Sequence, residues 1–220
     1  MIGVFGGTFD PIHFGHLRPA LDVVQSLDLA ELRLLPLKVA VHRSQPLASA
    51  ALRLQMTRLA VNGQPGFIVD DRELTRDGPS YTVDTLASLR DEVGADSPLC
   101  LLIGGDAFAG FLDWHRPRAI LGLAHLVVMQ RPGAPTVRDQ ALRDEIGRRR
   151  IDDPRALRQA PAGRIYFQTV TQLDISSTRI RRMLAAGRSP RFLLPDAVLE
   201  LIDREQCYGP TPAADSDRSP

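Results

Sequence analysis

The chain has 220 residues, of which 44% are hydrophobic and 24% charged, and its formal net charge is +1 at pH 7. This balance is typical of one soluble globular protein and gives no overall attraction for nucleic acid. Because the sequence has neither a membrane-length apolar run, nor an export signal, nor a CxxC pair beside its two cysteines, we expect a cytoplasmic protein without membrane contact.

The first half of the sequence alternates short apolar runs with amphipathic segments. Residues 2–6 predict a buried strand that ends in glycine, and residues 16–29 have helical spacing. A second strand is predicted over 31–37, an amphipathic helix over 50–63, a strand over 66–74 and a helix over 80–94.

The second half continues this alternation. A wholly apolar strand is predicted over 98–106, short helices over 108–114 and 117–124, and a strand over 125–133. Residues 134–163 are rich in Arg, Asp and Pro and predict a variable helix and loop region. A strand over 164–170 and helices over 176–189 and 195–206 follow, and the polar tail 210–220 predicts disorder.

Strands that alternate with helices indicate an α/β fold, a Rossmann-like doubly wound parallel sheet. We expect one domain over residues 1–209, with a small C-terminal helical part at about 175–209. Ligands of such sheets bind beyond the carboxyl ends of the strands. Two predicted strands end there in paired glycines, Gly6-Gly7 and Gly104-Gly105, which permit close approach of a ligand to the backbone.

The stretch GGTFDPIHFGH follows the first strand and combines glycines with two histidines. His13 and His16 are three residues apart at the start of a helix, so they share one face, and Gly15 keeps that face open. Uncovered amides, a helix start and two imidazoles suit phosphate, although neither GxGxxG nor GxxxxGK[ST] is present. Taken singly, the glycines could form a tight turn and each histidine could cap or pack; the whole constellation favours a phosphate site.

Two motifs now carry a family resemblance. His13-Phe14-Gly15-His16 matches the HxGH signature of a nucleotidyltransferase superfamily, and residues 175–181, ISSTRIR, match its ISSTxIR signature. From residue 2 to about 209 the chain resembles bacterial nicotinate-nucleotide adenylyltransferases, through SYTVDTL, IGGDAFAGFLDWHRP and AHLVVMQRPG as well. One departure concerns His42-Arg43: the family usually has Pro-Pro before this pair, whereas this chain has Ala40-Val41.

The resemblance implies transfer of the adenylyl group of ATP to nicotinate mononucleotide, which gives nicotinate adenine dinucleotide and pyrophosphate in NAD biosynthesis. It implies Mg²⁺ bound with ATP, held by phosphate oxygens and water, and no metal site on the protein itself. The sequence leaves both a monomer and a homo-oligomer open.

The resemblance also assigns roles to residues. Those implied to be catalytic are His13, His16 and Arg43. Those implied to bind ATP are the two histidines with Gly6, Gly7, Thr8, Phe9, Gly105, Asp106, Ser176, Ser177, Thr178 and Arg179. Those implied to bind nicotinate mononucleotide are Thr8, Arg43, Thr82 and Trp114. Without the family, Asp106 would equally well cap a helix, and Trp114 would more simply anchor the core.

Three other functions are weighed. Pantetheine-phosphate adenylyltransferases share HxGH, but they are shorter and lack the SYTVDTL and GGDxFxxFxxW segments. Cytidylyltransferases use the same chemistry with CTP, and the region around Trp114 argues against them. A third possibility is a nucleotide-sensing domain without catalysis. It would be expected to have lost a signature histidine or part of the ISSTxIR segment, whereas both signatures are intact here.

Overall fold

The structure is a computed structural model that describes residues 1–38, 45–76, 78, 81–130 and 138–209. Its strands form one sheet and are β1 (Ile2–Gly7), β2 (Glu31–Pro36), β3 (Phe67–Val69), β4 (Leu99–Gly104), β5 (His125–Gln130), β6 (Arg150–Ile151) and β7 (Ile165–Thr169). Its α-helices are α1 (Phe14–Leu27), α2 (Ala50–Val61), α3 (Arg72–Thr75), α4 (Thr82–Val93), α5 (Gly105–Ala109), α6 (Pro117–Leu123), α7 (Gln140–Arg149), α8 (Ser177–Ala185) and α9 (Asp196–Arg204).

The order of strands in the sheet is β3-β2-β1-β4-β5-β7-β6, and every pairing is parallel. From β1 the chain builds β2 and β3 on one side and then returns to place β4 on the other side of β1. The order therefore reverses between β1 and β4, and the crevice at their carboxyl ends is where a sheet of this kind binds ligands. The predicted Rossmann-like α/β fold is confirmed.

Both faces of the sheet are covered by helices. In β4, Leu99, Leu101 and Ile103 pack with α4 and α6 on one face, while Cys100 and Leu102 pack with α1 and α2 on the other. Successive residues of a strand point to opposite faces, so a strand buried on both sides must be apolar throughout. The residues of β4, LCLLIG, are indeed apolar throughout.

Two predicted elements differ from the structure. The strand predicted over 66–74 ends at Val69, because the carboxylate of Asp70 accepts hydrogen bonds from the backbone and guanidinium N–H groups of Arg72 and turns the chain into α3. In the region 134–163, the described residues form α7, the short strand β6 and a 3₁₀ helix over Pro154–Gln159. The single-domain assignment stays a prediction, and the tail 210–220 lies outside the described residues.

No helix in the described part of the chain is long and apolar enough to cross a membrane.

Candidate active site

The turn after β1 is built around one close contact between a glycine and an aromatic ring. A Cβ atom on Gly7 would lie 2.5 Å from the Phe9 ring, so no larger residue fits there without displacing it. Phe9 is buried and adopts a positive φ of 47°, a conformation that few non-glycine residues take. Packing thus fixes the backbone of this turn before any ligand binds.

His13 and His16 are stacked beside this turn. His13 is the N-cap of α1 and His16 lies one turn further, so their ring centroids are 3.7 Å apart with 24° between the planes. The backbone N–H of His13 donates to Nδ1 of His16 at 3.3 Å. Because Nδ1 is the acceptor, a neutral His16 carries its proton on Nε2 and can donate it to a ligand.

Both imidazoles are neutral at pH 7. Burial lowers the pKa of His13 to about 4. Burial, with the nearby His13 as the second cause, lowers the pKa of His16 well below its usual value. The buried Nδ1 of His13 has no hydrogen-bond partner among the described residues. A buried polar atom without a partner is costly, so a ligand that pairs with it would bind favourably.

The second signature lies directly against the first. The Ser177 hydroxyl donates to the carbonyl oxygen of Pro11 at 3.0 Å, and a Cβ on Gly15 would lie 3.1 Å from the carbonyl oxygen of Ile175. Ser176 caps α8, since its Oγ accepts from the backbone N–H of Arg179 at 3.2 Å. The exposed start of α8 therefore lies beside the turn that carries the two imidazoles, and a helix start of this kind is suited to an anion.

A cavity of about 600 Å³ lies on the other side of Gly6, Gly7 and Thr8, at the carboxyl ends of β1 and β4. Thr82, at the start of α4, and Trp114 line it together with Asp106. The Trp114 ring is tilted against Phe111, with centroids 5.7 Å apart, and is thereby held at the cavity wall. The site thus has an imidazole side and a cavity side that meet at the turn after β1.

The chain is similar to several known proteins. A cytidylyltransferase-like family model matches residues 4–183. A probable nicotinate-nucleotide adenylyltransferase of Methylococcus capsulatus is 53% identical over 94% of this chain and 99% of its own length. One from Pseudomonas aeruginosa is 51% identical over 94% of this chain and 96% of its own length.

This chain belongs to the nicotinate-nucleotide adenylyltransferase family.

A solved structure with much lower sequence identity has the same fold. The nicotinic acid mononucleotide adenylyltransferase of Plasmodium falciparum, complexed with NaAD, superposes with a TM-score of 0.71 at 16% identity, over 94% of this chain and 96% of that one. At this identity the likeness concerns the fold alone.

The structure brings together most of the residues that the nicotinate-nucleotide adenylyltransferase signatures pointed to. The turn that carries the two histidines lies against the start of α8, and the cavity is lined by Gly6, Gly7, Thr8, Thr82, Asp106 and Trp114. Gly105 begins α5 directly after β4, and Arg179 and Thr178 are exposed at the start of α8. Arg43 lies outside the described residues. The roles of all these residues stay predictions.

Sequence reasoning missed several residues that line the cavity, among them Tyr81, His115 and Glu73. Tyr81 and His115 line it and stack on each other with centroids 4.2 Å apart, and the buried Glu73 lines it too. Tyr81 and His115 could have been found from the sequence, because Tyr81 precedes Thr82 in SYTVDTL and His115 follows Trp114. Nothing in the local sequence around Glu73 distinguishes it from a surface carboxylate.

We expect the folded chain to lose stability in mild acid. The folded-state pKa of His13 is about 4 and its usual value is 6.5. Between these values the unfolded chain binds more protons, so stability falls as pH drops below 6.5, by up to about 3 kcal/mol. His16 and His125, whose pKa values are also lowered by burial, act in the same direction.

Melting temperatures measured between about pH 5 and pH 8 check this expectation. The variant His13→Asn should have a shallower dependence on pH than the parent chain. A melting temperature that stays flat across this range in the parent chain would contradict the assignment of neutral, buried imidazoles.

Proposed function

We propose that this chain transfers the adenylyl group of ATP to nicotinate mononucleotide and releases nicotinate adenine dinucleotide and pyrophosphate. The observation that carries the proposal is that the turn bearing His13 and His16 lies against the start of α8, through the contacts of Ser177 with Pro11 and of Gly15 with Ile175, beside a cavity lined by Thr82 and Trp114. The imidazole side offers donors for a triphosphate, and the cavity side offers an aromatic face and a hydroxyl for an acceptor.

The proposed reaction needs no general base. An oxygen of the mononucleotide 5′-phosphate attacks the α-phosphorus of ATP, and the bond from that phosphorus to the oxygen bridging to the β-phosphorus breaks. The attacking phosphate is already an anion at pH 7, so no proton has to be removed. The main barrier is to bring two anions into line while negative charge grows on the pyrophosphate.

Preorganised donors lower that barrier. Nε2–H of His16 is held in place by the hydrogen bond to its Nδ1 and by the His13 stack. The donors do not reorganise when charge develops, which is the condition for strong electrostatic stabilisation. The start of α8, with Ser176, Thr178 and Arg179 exposed there, would receive the β/γ end of the triphosphate.

Backbone groups of Gly6, Gly7, Thr8 and Phe9 would lie between the two nucleotides. The adenosine would bind at the carboxyl end of β4, near Gly105, where Asp106 at the start of α5 could accept from ribose hydroxyls. We propose that Arg43 reaches the phosphates as a bidentate donor. This last assignment rests on the resemblance only.

Mg²⁺ fits this site as part of the substrate Mg-ATP. Among the residues that the structure describes, no group of three or more His, Cys, Asp and Glu side chains could hold a metal ion. Imidazole and amide N–H donors favour phosphate oxygens instead, and Mg²⁺ readily keeps water and phosphate ligands. We propose a cytoplasmic location for the reaction, because its proposed substrate is Mg-ATP.

The cavity side favours the acid over the amide mononucleotide. Trp114 can stack on a pyridine ring, and the Thr82 hydroxyl can donate to a carboxylate, which only accepts. A carboxamide would instead present its own N–H donors to the backbone amides near Trp114, which can only donate, so the discrimination rests on those amides and not on the hydroxyl. We expect kcat/KM to be at least tenfold higher, roughly, for nicotinate mononucleotide than for nicotinamide mononucleotide.

Pyrophosphate release from Mg-ATP tests both statements. Parallel assays contain nicotinate mononucleotide, the amide analogue or phosphopantetheine, and a further assay replaces ATP by CTP. We expect rapid release with ATP and the acid, slower release with the amide, and little with the other combinations. Faster release with phosphopantetheine or with CTP would overturn the proposed function and leave the family fold standing.

A further inference from the structure

Asp10 is the centre of a hydrogen-bond network that joins four separate parts of the chain. Its buried carboxylate accepts from the backbone N–H groups of Leu47 at 2.9 Å and Ala48 at 3.1 Å, and from the Tyr208 hydroxyl. Arg181 donates to the Asp10 carbonyl oxygen at 2.7 Å, and its guanidinium lies 3.7 Å from the carboxylate. We call Asp10 with its partners Leu47, Ala48, Arg181 and Tyr208 the Asp10 network.

Tyr208 comes from the end of the described chain, after α9. Its ring is half-buried and packs with the core cluster around α1, α2 and α9. Burial, followed by the hydrogen bond to Asp10, raises the pKa of the Tyr208 hydroxyl. The hydroxyl therefore stays protonated at neutral pH and remains a donor to the carboxylate. A hydrogen bond to a buried charge of this kind is among the stronger ones in proteins.

Apart from Tyr208, each member of the network lies in or next to a segment of the proposed ATP site. Asp10 lies in the turn between β1 and the histidine pair, and Arg181 lies in α8, four residues after Ser177. Leu47 and Ala48 follow the segment that contains Arg43 and lead into α2. The buried Arg53 reinforces this arrangement, since it donates to the carbonyl oxygens of Thr8 at 2.7 Å and Ala48 at 3.3 Å.

We propose that Tyr208 is a positioning residue for ATP: through Asp10 it fixes the histidine turn relative to α8 and to the segment that precedes α2. This rests on the proposed function, because it presumes that the triphosphate binds between that turn and α8. Tyr208 does not line the nicotinate cavity. Its loss should therefore weaken use of ATP and leave use of the mononucleotide acceptor unchanged.

The test is the variant Tyr208→Phe, which keeps the ring and removes only the hydroxyl. Its matched control is Tyr166→Phe, at a half-buried tyrosine of β7 that packs at the edge of the same core cluster and is not part of the network. We measure KM and kcat for ATP and for nicotinate mononucleotide, together with melting temperature. For Tyr208→Phe we expect KM for ATP to rise about tenfold, since a misplaced donor set binds the triphosphate less well. KM of Tyr208→Phe for the mononucleotide should stay within about twofold of the parent value. In the control Tyr166→Phe, the KM values for both substrates should stay within the same range.

Asp10→Ala gives a second, independent measurement, because it removes the acceptor of the Tyr208 hydroxyl. If Tyr208 acts through Asp10, the two changes are not additive, and Tyr208→Phe should have less than about a twofold effect on KM for ATP when Ala is already at position 10.

An unchanged KM for ATP in Tyr208→Phe overturns the proposal, whatever happens to its melting temperature, because that pattern belongs to a residue that only supports the fold. An equal rise in both KM values, or full additivity with Asp10→Ala, also overturns it. These outcomes are distinct from failure of the proposed function, which the parent chain would reveal by making no nicotinate adenine dinucleotide.

Discussion

Replacement of His16 by Asn is expected to lower kcat/KM for ATP by roughly a thousandfold, the upper range for loss of one preorganised donor at a developing charge. Nε2–H of His16 is the donor that its own Nδ1 contact with the His13 backbone orients. Asparagine is short: its side-chain oxygen can still accept from that backbone N–H, as residues near a helix start often do. It does not, however, extend as far as the imidazole Nε2, so the donor to phosphate is lost.

A second variant separates catalysis from packing at this position. The His16 ring also stacks on His13 and meets the Phe9 ring edge-on, with centroids 5.2 Å apart. We therefore expect His16→Ala to lose a similar amount of activity and to melt at a lower temperature than His16→Asn. Circular dichroism and thermal melts accompany the kinetics. Turnover of folded His16→Asn close to that of the parent chain would mean that His16 serves packing alone.

The sheet was largely predictable because its strands are buried on both faces. A strand such as β4 must then be apolar throughout, and such runs are visible in a sequence. Where a side chain redirects the backbone, the same reasoning failed: the Asp70 carboxylate binds the N–H groups of Arg72 and ends β3 after three residues. The two residues of β6 are too few to show a period.

The site was predictable only in part, for a related reason. His13 and His16 are near each other in sequence, and their helical spacing indicated a shared face. The contact of Ser177 with Pro11 joins segments separated by most of the chain, so it was reached through the family signatures and not through periodicity. The Asp10 network was not predicted, although Asp10 and Arg181 stand in the two signature segments, because its contacts join distant parts of the chain and two of its donors are the backbone amides of Leu47 and Ala48, a group that every residue except proline possesses.

Replacement of Gly15 by Ala is expected to lower kcat/KM for ATP about a hundredfold, the loss associated with a displacement of about 1 Å at a reacting centre. The added Cβ would lie 2.9 Å from Nδ1 of His13 and 3.1 Å from the carbonyl oxygen of Ile175. Neither neighbour is a flexible side-chain end: one belongs to a stacked ring and the other to the backbone that enters α8. Either the imidazole or α8 must move, and both belong to the proposed triphosphate site.

The matched control for this change is Gly147→Ala in α7, where an added Cβ meets nothing within 4 Å. Alanine favours a helix over glycine by about 1 kcal/mol, so the control should melt at a higher temperature with unchanged activity. Gly15 is also in a helix, and propensity alone predicts the same gain there. Helix propensity would raise the melting temperature of Gly15→Ala. A lower melting temperature together with lost activity would therefore be due to the close contact between the two signature segments at Gly15. Parent-like kinetics in Gly15→Ala would show that the site does not depend on that distance.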